Sequence, residues 1–544
     1  EMVFLPEFAT TLPSSNFKFA KERIADWGRN DPRGGGMEEI DVEMNVIRDF
    51  ARRVLLSEET FQEDGNTFVN MFSGEWSGTS KLNKYDLSSM YFNYAGSIYS
   101  QNFPIIDIVM NTMLKQEEST QGRHFFRMFN GMGDDQRAAA YLNGKSFEQA
   151  VLDNTLSTEV FYEMMKLKGV YLRNYINSRL SSNEFKEFMA EFMKKYQFQE
   201  VNFTRLNSEF IRKFHFNLMD FIPNWYTINS TPRFIVKGVD ADQVEIGDYT
   251  KYIVKFQVYN PTNVEGVISV NVEEGGSMFP GGPRGRRGRA AQMESKPAKN
   301  YIIEPQKYKE IRILCDERPS NLTINTNISQ NLPSTIMQNF AKVTTTTTDT
   351  VTGIFDSNAA LFTFNPKEIT VDNEDPGFRI IESNQKNKLQ SFFKKESEDK
   401  YKNLNFWMPP SKWTATIGVN YYGDYINSAV YKKSGSGSNK TEWTTQIQIP
   451  GFYEVFVYTS ELPMMGWRRR GSEEKKMQYY TVKHDDGEEE ISVETGRGRQ
   501  GWMTLGSFYF SAGEAKITLS DKGSESNQII FADAVKWVYT NNNK

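Results

Sequence analysis

The chain of 544 residues has one cysteine, Cys315, and three histidines, His124, His215 and His484. A single cysteine excludes any internal disulfide and leaves the redox compartment open. No two of the histidines fall within one helical turn, so no imidazole pair is available for a zinc site of the usual kind. There is no run of about 18 apolar residues, and hence no candidate for a membrane-spanning helix. Neither sign of charge is in large excess: 64 Lys and Arg face 69 Asp and Glu, a formal net charge of −5. Nothing in that balance draws the whole chain to nucleic acid or acidic lipid. The sequence opens at Glu1 without a methionine or an apolar signal core. It reads as a piece of a longer polypeptide, with any targeting or membrane segment upstream.

Aromatic residues are plentiful. They make up 14% of the chain, with 40 Phe and 26 Tyr, which argues for packed domains over disorder. The length predicts roughly three to four domains. Residues 1–230 read as helical. Phe185, Phe188, Met189, Phe192, Met193 and Tyr196 fall on one helical face behind a Ser181-Ser182-Asn183 cap, and Leu206, Phe210, Phe214 and Leu218 repeat the pattern. These stripes read as core.

From Pro232 the period changes to two. Phe234-Ile235-Val236, residues 252–258, 267–270, 301–303 and 311–314 read as strands of an immunoglobulin-like β-sandwich over 231–343. Within it, 275–299 is a Gly/Pro/Arg-rich surface loop. Its Arg284, Arg286, Arg287 and Arg289 could meet phosphates or anionic glycans, or only keep the loop solvated. A linker at 344–368 contains five threonines in a row, Thr344 to Thr348. A second β-domain follows over 369–540, with strands expected at 443–449, 453–458, 479–482, 506–510 and 515–519. The predicted fold class is therefore multidomain α + β: a helical N-terminal region and two β-sandwiches.

The string VIRDFARRVL places Arg48, Asp49 and Arg52 in the pattern of a zinc-peptidase helix, H-E-x-x-H, with every functional position changed. A guanidinium has no lone pair to give a metal. Glu1 to Glu7 (EMVFLPE), Tyr94 to Ser100 (YAGSIYS) with Phe103-Pro104, Lys166 to Leu172 (KLKGVYL), and Pro223-Asn224-Trp225-Tyr226 before Pro232 follow in order. Together these strings resemble the alanyl-aminopeptidase-like gluzincins, in the branch fused to ABC-2 type permeases in Bacteroidota. The resemblance implies that Arg48, Asp49 and Arg52 replace two ligands and the base. Lys166 stands where the oxyanion tyrosine belongs, and Glu75 is out of register for the third ligand. A pseudoenzyme is the consequence. Arg48 and Arg52 also read as the polar side of an ordinary amphipathic helix, with Val46, Ile47, Phe50, Val54 and Leu55 inside and Asp49 or Glu43 as partners. Both readings leave the position without metal.

The second β-domain carries VDNEDPGF from Val371 to Phe378, Trp413-Thr414, Trp443, Pro450 to Val455 (PGFYEV), Tyr480 to Gly487 (YTVKHDDG), Trp502 with Leu505 to Phe510 (LGSFYF), and Ala532-Asp533-Ala534-Val535. Residues 369–539 thereby resemble the golvesin C-terminal-like, or xanthan-lyase carbohydrate-binding-like, domain. That family implies a β-sandwich on secreted or surface proteins with a proposed sugar-binding role. Aromatic faces stack on sugar C–H groups while polar neighbours bond the hydroxyls. Trp413, Tyr421, Tyr422 and Tyr425 cluster near a predicted turn, and Trp467 lies beside Arg468-Arg469-Arg470; these are the ligand-binding candidates. Trp443, Trp502 and Trp537 read as core. His484 reads as a turn residue, and Asp485 with Asp486 could take a hard cation.

The combined expectation is a non-catalytic, extracytoplasmic scaffold or binding protein without metal or cofactor. Its partners would be a protein of a membrane or envelope complex or a surface glycan, not nucleic acid, and it would reach a membrane only through an upstream segment. The alternatives are an active zinc aminopeptidase with ligands outside this sequence, and a carbohydrate-binding surface module.

Overall fold

The computed structural model describes residues 98–100, 102–103, 106, 109, 133–153, 155–196, 201–275, 298–340, 343, 345–382, 400–405, 408–460, 476–496, 499–525 and 527–540. Arg48, Asp49, Arg52, Glu43, Glu75, the arginines of 275–299 and Trp467 lie outside them. Helices are α1 (Asp134–Leu142), α2 (Phe147–Leu152), α3 (Thr158–Asn177), α4 (Ser182–Lys195), α5 (Phe203–Phe214) and α6 (Ile222–Thr227). The chain forms two compact units. One holds the described residues of Glu1–Thr120 and Ser182–Phe221, the other those of Gln121–Ser181 and Ile222–Lys544.

In the first unit, α4 buries Phe185, Phe188, Met189 and Phe192, as its 3.6-residue period requires. Phe188 and Phe185 meet Phe210 of α5 edge-on, with ring centres 5.2 and 6.2 Å apart. Asn202 caps α5 by accepting the Arg205 N–H at 2.9 Å. His215 ends α5 in the left-handed conformation, φ +54°, so the expected Leu218 belongs to a separate 3₁₀ turn, Leu218–Asp220.

In the second unit, α3 packs against α1 and against two strands, β5 (Gly266–Glu274) and β6 (Lys299–Ile303). Its buried Asn174 donates to Asn327 Oδ1 at 2.7 Å. Lys166 pairs with Glu163 at 2.9 Å and lies over the Tyr162 ring, at 4.3 Å from its centre. Lys168, one turn-face away, is buried. Its ammonium donates to the Trp225 carbonyl, and Trp225 Nε1 returns a bond to the Lys168 carbonyl at 3.2 Å. Burial lowers the Lys168 pKa to about 7.

Two β-sandwiches follow. The first joins sheet β10-β3-β4-β7-β11 to sheet β6-β5-β8-β9. Its remaining strands are β3 (Ile235–Ile246), β4 (Tyr249–Tyr259), β7 (Tyr308–Cys315), β8 (Pro319–Asn325), β9 (Thr335–Asn339), β10 (Thr346–Thr347) and β11 (Gly353–Asp356). Its core includes Phe234, Phe256, Ile268, Ile311, Cys315 and Ile324.

The second has β12 (Glu368–Val371), β13 (Phe378–Ile381), β14 (Thr414–Ile417), β15 (Ser428–Lys433), β16 (Lys440–Ile447), β17 (Gly451–Thr459), β18 (Lys476–His484), β19 (Gly487–Thr495), β20 (Gly501–Phe510), β21 (Gly513–Gly523), β22 (Ile529–Ala532) and β23 (Val535–Thr540). Sheets β12-β23-β17-β20, β13-β16-β21-β18-β19 and β14-β15-β22 share one core, centred on Trp443, Tyr453, Tyr480 and Trp537. Two short parallel strands, β1 (Ile98–Tyr99) and β2 (Val201–Asn202), complete the set.

A main-chain bridge joins the sandwiches. The Leu332 N–H donates to the Tyr425 carbonyl at 2.9 Å, and the Asn427 N–H donates to the Leu332 carbonyl at 2.7 Å.

Candidate functional site

The four-stranded sheet β12-β23-β17-β20 has two unlike faces. Inward, Ile369, Val371, Tyr453, Val455, Val457, Leu505, Phe508, Phe510, Val535 and Trp537 are buried. Outward, β17 presents Phe452, Glu454, Phe456 and Tyr458, because side chains alternate along a strand. β23 and β20 flank it on either side, both antiparallel. Phe452 stands opposite Tyr509 of β20, and Tyr458 opposite Trp502. Each is a direct cross-strand aromatic pair. The rings of Phe452 and Tyr509 meet edge-on at 5.4 Å, those of Tyr458 and Trp502 at 5.3 Å.

Trp502 and Tyr509 are an odd number of residues apart, so in a regular strand they would point to opposite faces. A β-bulge puts them on one. The ladder slips between Val455 and Phe456: Val455 pairs with Gly506 and Phe456 with Thr504, leaving Leu505 as the extra residue of β20. Gly506 takes φ +133° there, a conformation that L side chains rarely adopt.

The two pairs differ in exposure. Phe452 is 42% exposed and Tyr509 37%. Tyr458, Trp502 and Phe456 are half-buried. Tyr422, from the loop before β15, leans edge-on against Trp502 at 5.1 Å and against Tyr458 at 5.7 Å. The Lys536 ammonium lies 4.6 Å from the Trp502 ring centre and 5.5 Å from that of Phe456, and pairs with Glu368 at 3.4 Å. Between the aromatic pairs the face is mostly polar: Glu454 lies opposite Ser507, and Thr504 donates to Glu454 at 3.4 Å.

Behind Tyr422 lies a set of carboxyls. Asp533, buried, accepts from the Tyr422 N–H at 3.2 Å and from Ser460 Oγ at 3.2 Å. Burial and then the nearby Asp372 raise its pKa. Asp372 is pushed up to about 8 by burial, with Asp375, Glu374 and Asp424 adding to the rise and the Asn373 N–H opposing it. Glu374 is tied to Lys400 at 2.5 Å, to the Tyr401 hydroxyl at 3.1 Å and to Ser428 Oγ at 2.6 Å. No group of three or more His, Cys, Asp and Glu among the described residues is placed to hold a metal ion.

The expected ligand residues do not converge. Trp413 is 8% exposed and belongs to the core, beneath the Lys432 ammonium. Tyr421 is 7% exposed and packs on Phe531 at 5.9 Å. Neither ring offers a face to a ligand, which corrects their reading as platforms. Tyr425 is half-buried and lies under the Arg233 guanidinium at 4.0 Å, beside an Asp424–Lys237 ion pair of 3.5 Å, so it serves the contact between sandwiches. Tyr422 alone among the described candidates reaches the aromatic face. Trp443 and Trp537 are core as expected, but Trp502 is not. Asp485 accepts from Ser511 N–H and Oγ, at 3.0 and 2.5 Å, and so pins the β18–β19 turn.

Residues 403–539 match the family model of the golvesin C-terminal domain, and this part of the chain carries that domain. Among solved structures, Paenibacillus xanthan lyase is 14% identical over 57% of this chain and 26% of its own, with a TM-score of 0.23. A family 35 carbohydrate-binding module from Clostridium thermocellum is 13% identical over 31% of this chain and 98% of its own, with a TM-score of 0.20. An exo-β-1,3-galactanase from Phanerochaete chrysosporium is 10% identical over 56% and 69%, with a TM-score of 0.19. The chain thus spans about a quarter of the xanthan lyase. No curated protein sequence matches it.

Proposed function

We propose that this chain is a non-catalytic binding protein that attaches to glycans through the outer face of its C-terminal β-sandwich. The observation that carries this reading is the two cross-strand aromatic pairs, Phe452–Tyr509 and Tyr458–Trp502, on one sheet face with hydroxyls and a carboxylate between them. Aromatic rings left at a sheet surface expose apolar area that a sugar's C–H face can cover, while Glu454, Ser507 and Thr504 meet its hydroxyls.

The remainder of the reading is an envelope-facing, extracytoplasmic scaffold. On this reading its N-terminal region resembles an aminopeptidase in sequence, with Arg48, Asp49 and Arg52 in place of ligands and base, and a protein of a membrane or envelope complex is a further partner. Lys166 fits that reading, since its ammonium is committed to Glu163 and no hydroxyl stands in its place.

Affinity electrophoresis of the full chain in gels containing different polysaccharides tests the glycan function. At least one polysaccharide is expected to retard the wild-type chain, and Trp502→Ala to weaken that binding about tenfold or more, ~1.4 kcal/mol. A wild-type chain that runs unretarded in every gel overturns it. Metal analysis tests the rest: stoichiometric zinc in the purified chain would return the N-terminal region to the peptidases.

A further inference from the structure

We infer that the ligand of this face is an internal stretch of a linear, uncharged polysaccharide lying along β17; the inference rests on the glycan reading above. Phe452 and Tyr458 are six residues apart on one strand, about 20 Å at the rise of a β-strand. No single sugar ring reaches from one aromatic pair to the other, so occupying both requires several linked residues in an extended chain. The strip between the pairs suits the middle of such a chain. Glu454, Ser507 and Thr504 offer hydrogen bonds along it, and Phe456 continues the apolar line towards Trp502.

Openness selects against chain ends. The pair at one end of the face, Phe452 and Tyr509, is the more exposed of the two. A site for a terminal sugar encloses it on several sides; the Phe452–Tyr509 end, exposed among the described residues, lets a chain run on past it. Of the described loops, the one bearing Tyr422 leans only on the Tyr458–Trp502 pair.

Charge selects the chemical class. Among the described residues the face carries the carboxylates of Glu368 and Glu454 against the ammonium of Lys536, and that ammonium is already paired with Glu368. Glu454 accepts from Thr504 and makes no ion pair among the described residues. Of the carboxyls at the Tyr422 end, Glu374 is paired with Lys400 and Asp424 with Lys237, and burial raises the pKa of Asp372 and Asp375, so Glu454 is the carboxylate left without a cation among the described residues. A polyuronate laid on this face would meet the unpaired carboxylate of Glu454 midway along it, whereas a neutral chain would not be repelled. Glu454 then serves as an acceptor for sugar hydroxyls and Lys536 as a donor.

Isothermal titration of the full chain tests this with linear neutral oligosaccharides of two to six residues, in β-1,4-glucan, β-1,4-mannan, β-1,4-xylan and β-1,3-glucan series, alongside oligogalacturonates of the same lengths. In at least one neutral series, affinity should rise by about tenfold or more from the disaccharide to the hexasaccharide. Borohydride reduction of the chain end should leave the hexasaccharide's affinity unchanged, and the oligogalacturonate should bind more weakly at low salt. Tyr509→Ala, at an exposed position whose fold is checked by circular dichroism, should bring the hexasaccharide's affinity down towards that of the disaccharide. Disaccharides that bind as tightly as hexasaccharides, a loss of binding on end reduction, or tighter binding of oligogalacturonate each overturn the inference while leaving a glycan-binding protein. Failure of every oligosaccharide and every polysaccharide overturns the glycan reading itself.

Discussion

Trp502 shows how a single side chain changes role through its neighbours. By parity it belongs with Phe508 and Phe510, both buried, and reads as core; the bulge at Leu505–Gly506 turns it outward. The local signal for that slip is Gly506, since an isolated glycine inside a strand marks a bulge; the apolar pattern does not show it, because aromatic residues occupy both parities of β17 and β20. Trp413 and Tyr421 fail in the opposite sense. They sit beside a turn and read as exposed, but Lys432 and Phe531 cover them from elsewhere in the chain. Asp372 adds a testable consequence. Its folded pKa, about 8, exceeds the unfolded value of about 4, so the folded state keeps a proton that the unfolded state sheds. The associated stability is fully present below about pH 4 and is lost as pH rises towards about 8. Asp372→Asn is expected to flatten the decline between pH 5 and 8, measured by urea denaturation at both values. Identical slopes for variant and wild type would refute the assignment.

Elements were legible where one periodicity governed them. The helical face of Phe185, Phe188, Met189 and Phe192 is buried as its spacing implies. The expected strands at 443–449, 453–458, 479–482, 506–510 and 515–519 fall largely within β16, β17, β18, β20 and β21. β19 was not legible, since GEEEISVET opens with three exposed glutamates. Those charges suit an edge strand, where they discourage pairing with another chain. Two element-scale predictions follow from the geometry. Gly506→Ala places a Cβ at positive φ and 3.1 Å from the Phe508 ring. It should cost about 1–3 kcal/mol and weaken glycan binding as well, as read from melting and titration of the same samples. Lys432 and Asp521 form a buried ion pair between β15 and β21, with Asn439 at 2.9 Å and the Gly437 N–H at 2.7 Å also on the carboxylate. Burial alone would raise the Asp521 pKa, but these partners lower it. Lys432→Met should cost ~3–5 kcal/mol by stranding the charge, and adding Asp521→Leu should recover most of it in denaturation midpoints.

At the scale of the whole molecule, α3 illustrates what sequence patterns do not carry. It reads as part of a helical region ending near residue 230, yet it packs on β5 and β6 and bonds to Asn327. Partnerships between distant segments depend on shape and on buried amides such as Asn174, neither of which has a periodicity. The span of the golvesin match raises a related point. It starts at residue 403, after β12 and β13, although β12 pairs with β23 and places Ile369 and Val371 in the core. A fragment of 403–539 is expected to be less stable than one of 366–540 by up to ~3–6 kcal/mol, the worth of two buried aliphatic side chains. Thermal melts of the two fragments decide this.

The position of β17 has a mechanical meaning. It lies between β23 and β20, both antiparallel to it, and a polysaccharide lying along it would pull along the strand axis. Tension from a tethered chain would therefore load the flanking hydrogen bonds in shear, many at once, instead of unzipping them in turn. The bridge from Leu332 to Tyr425 and Asn427 would pass that load to the first sandwich. The same strand that displays the rings is thus the one best placed to bear the drag of a chain held there.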